Sequence, residues 1–470
     1  MKTAVEKRKI NPFFKASVWY VVGNGIGQGM IMIGTIIFTR MMSRSSYGLY
    51  SSYYSVVSIF ATLVGANLFI GLNNGYIDYA DKIHNFRASV LVLSSFVFLL
   101  FGGAVFLLRF VLRLRVPLFM IIFALFHAYA FFVVNYQINS LNMENRYREK
   151  TALFILPNML QILLAIIFMT ICKKEYELHA RIAGSMAGVS VCSSFAYFNM
   201  IKGEKDFLNK EFWKYSLKIS VPSILSSVSY MLMQNCDNIM ITHFYSSDET
   251  AVYALVYHVG YILYAVLQAA NGVWQAWLYQ ALNSGNIANV KKAQKWYLFL
   301  LGQMSFALYM ISPEIIKILA PSDYWNFYYI TPFVVGSCLM AMYSFYTTLG
   351  TFYKKTGKVS VCVFAAGITN IFLNALLIPH FGGVAAAYTS VFSYFILFLL
   401  SRKLGNELKK QLFSDRYFQF FIGSIIGSGI LFLFIHPYIV ARYVCYTAIL
   451  FLSCIYMWKR KEEIMLLLKG

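Results

Sequence analysis

Stretches of apolar residues, each long enough to cross a membrane as a helix, recur along the whole chain. We identify fourteen of them, the first at 13 to 40 and the last at 437 to 458. A transmembrane helix needs ~20 apolar residues, and the 470 residues are 59% hydrophobic and only 13% charged. The segments between the stretches are too short for a soluble catalytic domain. The sequence therefore predicts an all-α integral membrane protein with about fourteen transmembrane helices, and not an enzyme.

The chain is strongly basic, with 40 Lys and Arg against 19 Asp and Glu. On a soluble domain such a surplus would indicate nucleic-acid binding. When the loops are assigned alternately to the two sides of a membrane, however, most of the basic residues fall on the side of the two termini. The positive-inside rule then places both termini in the cytoplasm. The surplus therefore indicates membrane topology, and we expect no nucleic-acid partner.

The chain contains an internal repeat. Residues 15–66 align with 218–269 without a gap, and the identities include Tyr50 with Tyr253. The first and second helices thereby match the seventh and eighth in the same orientation, an arrangement typical of transporters whose substrate site lies between two parallel halves. The predicted parts are a six-helix N-lobe at 13–201, a cytoplasmic linker at 202–217, a six-helix C-lobe at 218–404, and a C-terminal helix pair with a basic tail at 405–470.

Small residues on the first helix indicate how it packs. Gly25 and Gly29 are four residues apart and therefore lie on one helical face. Pairs of small residues with this spacing allow two membrane helices to approach closely. The pattern supports a close helix contact at this face or a flexible first helix.

Asp237 is the main candidate for a functional residue inside the membrane, where an ionisable side chain is costly unless it is paired or faces water. It lies in the seventh apolar stretch, and helical spacing puts Gln234 on the same face. Asp237 could bind a coupling cation or a proton, or organise a basic partner that holds an anion. The alternative is a carboxylate that is bound to Arg40, His243 or a neighbouring amide and only holds helices together.

Other polar residues in the apolar stretches suit a sugar-phosphate ligand, because amides bind hydroxyl groups and cations bind a diphosphate. Amides also join membrane helices, and basic residues near helix ends also anchor at the interface. No cluster of Cys, His or carboxylates has metal-site spacing. The candidates for substrate binding are Asn24, Gln28, Arg40, Asn67, Asn74, Lys218, Gln234, Gln268 and Asn271, and those for coupling are Asp237 and His258.

Several local patterns are those of a known family. The segment from Thr39 to Tyr50, with Ser46-Tyr47-Gly48 near its end, resembles the connection between the first two helices of the polysaccharide and oligosaccharide flippases. These are the Wzx-type members of the multidrug/oligosaccharidyl-lipid/polysaccharide exporter (MOP) superfamily. Two later segments also resemble this family: Pro222 followed by Asp237-Asn238 and Tyr253, and the run from Tyr353-Lys354-Lys355 through Asn370 and Asn374 to Phe381-Gly382-Gly383 and Thr389.

The resemblance implies a MATE-like fold in a bacterial cytoplasmic membrane. It implies that an undecaprenyl-diphosphate-linked oligosaccharide repeat unit is moved to the outer leaflet by alternating access, for capsule, exopolysaccharide or O-antigen-type biosynthesis. The partners it implies are this substrate, membrane lipids and the polysaccharide polymerase machinery. The related lipid II flippases carry a charged pair in the first helix, where Gly34-Thr35 stands here. That difference favours a substrate other than lipid II.

Two alternatives to a flippase remain open from the sequence. A cation-coupled multidrug antiporter of the same superfamily would bind amphipathic cations through acidic and aromatic residues. An integral-membrane polymerase or glycosyltransferase would need an acidic pair near the membrane surface, for which Asp248-Glu249 is the outer candidate. No nucleotide-binding loop is present in the sequence, so we expect no cofactor, and a proton or sodium as the coupling ion.

Overall fold

The computed structural model describes residues 12–113, 116–202, 206–285 and 287–463, with the backbone alone at 12–24, 269 and 288. All regular secondary structure in these residues is helical. The helices are α1 (Pro12–Met41), α2 (Arg44–Gly65), α3 (Leu68–Asp78), α4 (Ile83–Val111), α5 (Leu118–Met143), α6 (Tyr147–Ile171), α7 (Glu177–Ile201), α8 (Lys210–Phe244), α9 (Ser247–Asn283), α10 (Ala288–Leu319), α11 (Ile330–Phe352), α12 (Thr356–Leu408), α13 (Asp415–Ile435) and α14 (Ile439–Lys459).

The helices have the length and composition of a membrane protein. Within the described ranges, nine are long and apolar enough to cross a membrane, or ten if the bent pair α2–α3 forms one span. One of the nine is α12, whose 53 residues would extend ~80 Å if straight, more than twice the ~30 Å of a bilayer core. The all-α membrane class is confirmed, whereas the fourteen crossings stay a prediction because α1, α7 and α8 fall outside the nine.

The break in α12 lies at Gly382, between two of the predicted apolar stretches. Its backbone has φ 57° and ψ −141°, outside the helical region. Glycine adopts a positive φ without the steric penalty of a Cβ atom. A Cβ here would also lie 3.0 Å from the Tyr245 ring. The chain therefore reverses its path within α12, which brings the segments before and after Gly382 together.

The described residues form two compact units. The first unit contains 12–34 and 60–224, and the second contains 35–59 and 225–463. Each has an apolar core: Leu72, Phe86 and Tyr136 are fully buried in the first, and Phe345 packs among aromatic rings in the second. The six-helix lobes with their linker stay a prediction.

The close helix contact lies at α6 and α7 in the first unit. A Cβ on Gly184 would lie 2.4 Å from Ala165 Cα, and one on Gly188 would lie 2.4 Å from Gln161 N. At Gly25 and Gly29 no described atom lies within 4 Å of a Cβ. A close contact at that pair is therefore not found among the described residues, and the alternative of a flexible first helix stays a prediction. The same four-residue spacing of glycines, at Gly184 and Gly188, instead lets α7 approach α6 closely.

An ion pair at the connection between α5 and α6 joins three elements of the first unit. Glu144 accepts hydrogen bonds from Arg87 at 2.9 Å, from Tyr76 at 2.7 Å and from Arg146 at 3.1 Å. Burial opposes ionisation of Glu144, but the hydrogen bonds from Tyr76 and Arg146 and the charge of Arg87 outweigh it and lower the pKa of the carboxyl below its usual value. Glu144 is therefore ionised at neutral pH and compensates the buried Arg87.

A second ion pair joins α14 to α10 within the second unit. Arg442 of α14 is 1% exposed and donates to Glu314 of α10, with one N–O distance of 2.7 Å, and to the Met310 carbonyl. A buried ion pair contributes little net stability, but removing one partner leaves a desolvated charge. Arg442 and Glu314 are therefore expected to be sensitive to single substitutions and tolerant of paired ones.

We predict that Gly188→Ala lowers the apparent unfolding temperature of the purified protein, because the added methyl group forces α6 away at a cost of about 1–3 kcal/mol. Gly103→Ala on α4 is the matched control, since nothing lies within 4 Å of a Cβ there. Equal unfolding temperatures for the two variants would contradict the close packing of α6 on α7.

We predict that Arg442→Met destabilises the protein by about 1–3 kcal/mol, because it leaves the partly buried Glu314 carboxylate unpaired. The double variant Arg442→Met with Glu314→Gln should recover most of the loss. Thermal unfolding in detergent measures both. A double variant no more stable than Arg442→Met would show that the ion pair is not the source of the effect.

Candidate functional site

The Asp237 carboxylate lies at the centre of a buried polar network in the second unit. Asp237 is 5% exposed and accepts three hydrogen bonds from neutral side chains. Tyr253 Oη of α9 donates to Oδ2 at 2.5 Å, Ser390 Oγ of α12 donates to Oδ2 at 2.8 Å, and Asn374 Nδ2 of α12 donates to Oδ1 at 2.7 Å. Three helices thus converge on one carboxylate.

The two donors from α12 are positioned by the break at Gly382. Asn374 precedes the break, and Thr389 and Ser390 follow it, yet Thr389 Oγ1 donates to Asn374 Oδ1. Asn370, one helical turn before Asn374, donates to Ser390 Oγ at 3.2 Å. The chain reversal brings these side chains together, and their mutual hydrogen bonds fix the direction in which Asn374 and Ser390 point.

The charge of Asp237 has no cationic partner among the described residues. No Lys, Arg or His nitrogen there lies within 4.0 Å of its carboxylate. Of the partners considered from the sequence, the neighbouring amide is present, whereas Arg40 and His243 are not. A buried ionised carboxylate is costly without a counter-charge, and neutral donors reduce this cost only in part. The geometry therefore suits a carboxylate that takes up a proton or a small cation.

Next to Asp237 runs a row of tyrosines on one face of α9. Tyr253, Tyr257, Tyr261 and Tyr264 are spaced by four, four and three residues, so their side chains share this face. With Asp237 and Gln234 of α8, Pro332 of α11 and other residues, they line a small cavity of about 30 Å³. This volume accommodates one or two water molecules beside the carboxylate.

A chain of hydrogen bonds leads from this cavity along α9. Tyr257 Oη donates to Gln234 Oε1 at 2.5 Å, and Gln234 Nε2 donates to Tyr230 Oη at 3.1 Å. The hydroxyl of Tyr230 is hydrogen-bonded to that of Tyr264, which accepts from Gln268 Nε2. Gln234 and Gln268, predicted separately as ligand-binding residues, therefore belong to one network.

Gln268 also lines a second and larger cavity, which lies between α9 and α11 and has a volume of about 250 Å³. Asn271 and Gln275, on the same face of α9, form part of the wall. The α11 wall is a stripe of hydroxyl side chains. The residues that line the whole cavity are Tyr264, Leu267, Gln268, Asn271, Gln275, Met340, Ala341, Tyr343, Ser344, Thr347, Thr348 and Thr351. The structure thus places the predicted pair Gln268 and Asn271 in one polar cavity.

Two of the predicted residues, Arg40 near the end of α1 and His258 on α9, lie apart from this network. Arg40 is exposed and donates to the carbonyls of Ile318 at 3.1 Å and Leu319 at 3.2 Å, where it joins the ends of α1 and α10. His258 is partly buried on α9, with its ring centroid 6.4 Å from that of Tyr257. Neither contacts Asp237.

The remaining predicted residues belong to the first unit. Asn67 adopts a left-handed backbone, with φ 54°, at the break between α2 and α3, and donates to the Ser223 carbonyl at 2.9 Å. Asn74 donates to the Ile70 carbonyl of its own helix. Lys218 is exposed on α8, and Gln28 is partly buried on α1. The side chain of Asn24 lies outside the described residues.

Sequence reasoning missed most of the α12 and α11 residues. Asn370, Asn374 and Thr389 were noted only as part of a family pattern, and Ser390 was not singled out at all. The α11 stripe was open to detection, because Ser344, Thr347, Thr348 and Thr351 follow the i, i+3, i+4, i+7 spacing of one helical face. Such a polar stripe in an otherwise apolar helix indicates a protein-facing or hydrated surface.

Curated relatives match part of the chain. A Haemophilus influenzae protein named Lsg locus putative protein 1 is 25% identical over 201 residues, which is 40% of this chain and 50% of that protein. A second protein of the same organism, named uncharacterized membrane protein, is 25% identical over 185 residues, or 36% of this chain and 44% of that protein. The chain thus spans about half the length of the curated relatives it matches.

Solved structures match the fold over nearly the whole chain. The lipid II flippase MurJ in an inward closed conformation has a TM-score of 0.70 at 14% identity and covers 94% of this chain and 99% of its own. An inward-facing multidrug resistance MATE family transporter of the MOP superfamily has a TM-score of 0.58 at 15% identity and covers 84% and 96%. These names are those of flippases and transporters, not enzymes. At this identity the likeness establishes the MurJ- and MATE-like membrane fold.

The family itself is identified by sequence. The polysaccharide biosynthesis protein family matches residues 13–278, which is more than half of the chain. This range runs from α1 to the C-terminal part of α9, and it includes Asp237 together with the α9 residues Tyr253, Gln268 and Asn271. The chain is a multi-pass membrane protein that belongs to the polysaccharide biosynthesis protein family.

Proposed function

We propose that this protein is a flippase that moves an undecaprenyl-diphosphate-linked oligosaccharide repeat unit from the cytoplasmic to the outer leaflet of a bacterial cytoplasmic membrane. The observation that carries the proposal is a polar network inside apolar helices of a polysaccharide biosynthesis family member. A diphosphate and several sugars cannot cross ~30 Å of hydrocarbon unaided. Neutral amides and hydroxyls in the membrane lower that barrier because they replace the hydrogen bonds that the headgroup makes with water.

In this proposal Asp237 couples transport to a proton or a sodium ion. The three neutral donors hold the carboxylate in place, and uptake of a cation removes its uncompensated charge. Because Tyr253 of α9 and Asn374 and Ser390 of α12 bind the same carboxylate, a change in its charge alters the attachment of both helices to α8. His258 is a second candidate for coupling.

The predicted substrate residues take different parts in this proposal. Gln234, Gln268 and Asn271 lie in the network of the second unit and serve the sugars. Arg40 near the end of α1 and Lys218, about two turns inside α8, are exposed cations and serve the diphosphate. Asn24, Gln28, Asn67 and Asn74 remain candidates of the first unit. Both termini lie in the cytoplasm, and polysaccharide polymerase machinery receives the product.

A second candidate function is a cation-coupled multidrug antiporter, which the MATE-like fold favours. A drug cation would need acidic residues around its site. The larger cavity has no acidic side chain among its lining residues, and the buried Asp237 is already surrounded by donors. The distinction is experimental, because an antiporter would export dyes and leave polysaccharide production unchanged.

We predict that deletion of the gene stops polymer production and leaves lipid-linked oligosaccharide units facing the cytoplasm. The units are extracted and quantified, and their orientation is read from accessibility to a membrane-impermeant glycosidase. A plasmid copy of the gene should restore polymer. Normal polymer together with lost resistance to cationic dyes would instead support the antiporter.

We predict that Asp237→Asn reduces export by ~5- to 150-fold, the usual range of coupling between two sites, at unchanged protein level. The substitution keeps the shape of the side chain but cannot take up a proton or balance a cation. Polymer is measured in the complemented deletion strain, and protein by immunoblot. Asp248→Asn is the matched control, since Asp248 is an exposed carboxylate whose ion pair with Arg44, at 3.8 Å, lies at the surface. Wild-type export by Asp237→Asn would leave Asp237 with a structural role.

A further inference from the structure

We infer that the cavity between α9 and α11 binds one uncharged sugar ring of the transported glycan, and not its diphosphate. This inference rests on the proposed function and assigns a part of the substrate to a defined site. None of the twelve lining residues is Asp, Glu, Lys, Arg or His. An anionic diphosphate or an organic cation would find no opposite charge there, whereas a sugar needs only hydrogen bonds and apolar contact.

Asn271 is held so that its amide group faces the cavity. Its Oδ1 accepts hydrogen bonds from Tyr297 Oη and from Ser344 Oγ, both at 3.1 Å. No described residue accepts a hydrogen bond from its Nδ2, and Asn271 lines the cavity. The two hydroxyls therefore fix the rotamer of Asn271 and leave two N–H donors for a ligand.

Gln268, one helical turn away on α9, offers the complementary group. Its Nε2 donates to Tyr264 Oη, so its Oε1 remains as an acceptor at the cavity wall. A donor and an acceptor about one turn apart suit neighbouring hydroxyls of a sugar ring, because each hydroxyl both donates and accepts. Neither group adds the desolvation cost of a charge.

The opposite wall, on α11, supplies acceptors. Thr347 Oγ1 donates to the Ser344 carbonyl at 3.2 Å, and Thr351 Oγ1 donates to the Thr347 carbonyl at 3.0 Å. Because these hydroxyls donate to their own helix, their lone pairs point away from it and can accept from a ligand. Rings of Tyr264 and Tyr343 and the side chain of Leu267 provide apolar surface for the C–H face of a sugar.

The volume of the cavity limits what it holds. At about 250 Å³ it is smaller than the ~300–1,000 Å³ of sites for drug-sized ligands. One sugar ring with its substituents fits this volume, and the rest of a repeat unit would lie outside the cavity. The cavity therefore selects one residue of the glycan.

The test is saturation-transfer difference NMR on the purified full-length protein in detergent. The probes are glucose, galactose and N-acetylglucosamine at millimolar concentration, with inorganic diphosphate and tetraphenylphosphonium as charged comparisons. We expect at least one sugar to give a signal that neither charged probe displaces. Absence of a signal from all three sugars, or displacement by a charged probe, would overturn the inference.

Substitutions in the cavity wall test whether the sugar signal comes from the cavity. Asn271→Leu and the nearly isosteric Thr347→Val should each weaken sugar binding about three- to tenfold, the usual effect of one lost hydrogen bond. Asn139→Leu is the matched control, because Asn139 of the first unit bonds only to the Asn135 carbonyl of its own helix. Unfolding temperatures show whether each variant is folded, and Thr347→Val keeps the test valid if Asn271→Leu is not. Unchanged binding in Thr347→Val and Asn271→Leu would refute the site.

Export by the same variants separates the two proposals. If the deletion strain accumulates units but Asn271→Leu and Thr347→Val export normally and bind sugar normally, the cavity inference fails and the flippase proposal stands. If deletion leaves polymer unchanged, the flippase proposal fails, while the NMR signal still decides whether the cavity binds sugars. Reduced export that parallels weakened binding would support both.

Discussion

A buried carboxylate that no described cationic side chain contacts, enclosed by apolar helices, is the constraint on which the second unit depends. Asp237 is buried, and its three hydrogen-bond donors are neutral groups of α9 and α12. Neutral donors orient a negative charge but do not cancel it, so the cost of burial is only partly offset. The two ion pairs elsewhere, Arg87 with Glu144 and Arg442 with Glu314, each match a buried cation with an anion. Asp237 differs from them in this respect, and that difference supports a role beyond helix packing.

The backbone places the network as much as the side chains do. The positive φ of Gly382 lets α12 reverse, and only then can Asn374 and Ser390 reach the same carboxylate. On α9 the regular helix does the placing, since a three- and four-residue spacing carries one polar face from Tyr253 to Gln275. The network and the larger cavity are therefore two parts of the same helix face, joined through the hydroxyls of Tyr230 and Tyr264.

The sequence was sufficient to predict the membrane class and to single out the buried acidic residue Asp237, because both follow from local composition. The length of an apolar stretch predicts a membrane helix. An Asp inside such a stretch costs enough free energy to mark it as a functional candidate. The partners of Asp237 were not predictable in the same way, since Ser390 lies 153 positions away and its approach depends on one glycine dihedral. The α11 hydroxyl stripe was readable from its periodicity but was overlooked. Gly25 and Gly29 have the right spacing for close packing. Among the described residues, however, Gly184 and Gly188 of α7 make the close contact with α6, because spacing alone does not specify a neighbour.

The absence of charged side chains from the described lining of the larger cavity has a consequence for divergence among related transporters. Exchanges among serine, threonine, valine and alanine on α11 alter which hydroxyls a sugar can satisfy, but they bring no net charge near Asp237. If the cavity binds a sugar of the cargo, as inferred above, its recognition can drift by single substitutions while the coupling proposed for Asp237 stays as it is. Two members of such a lineage could then carry different glycans with the same coupling site.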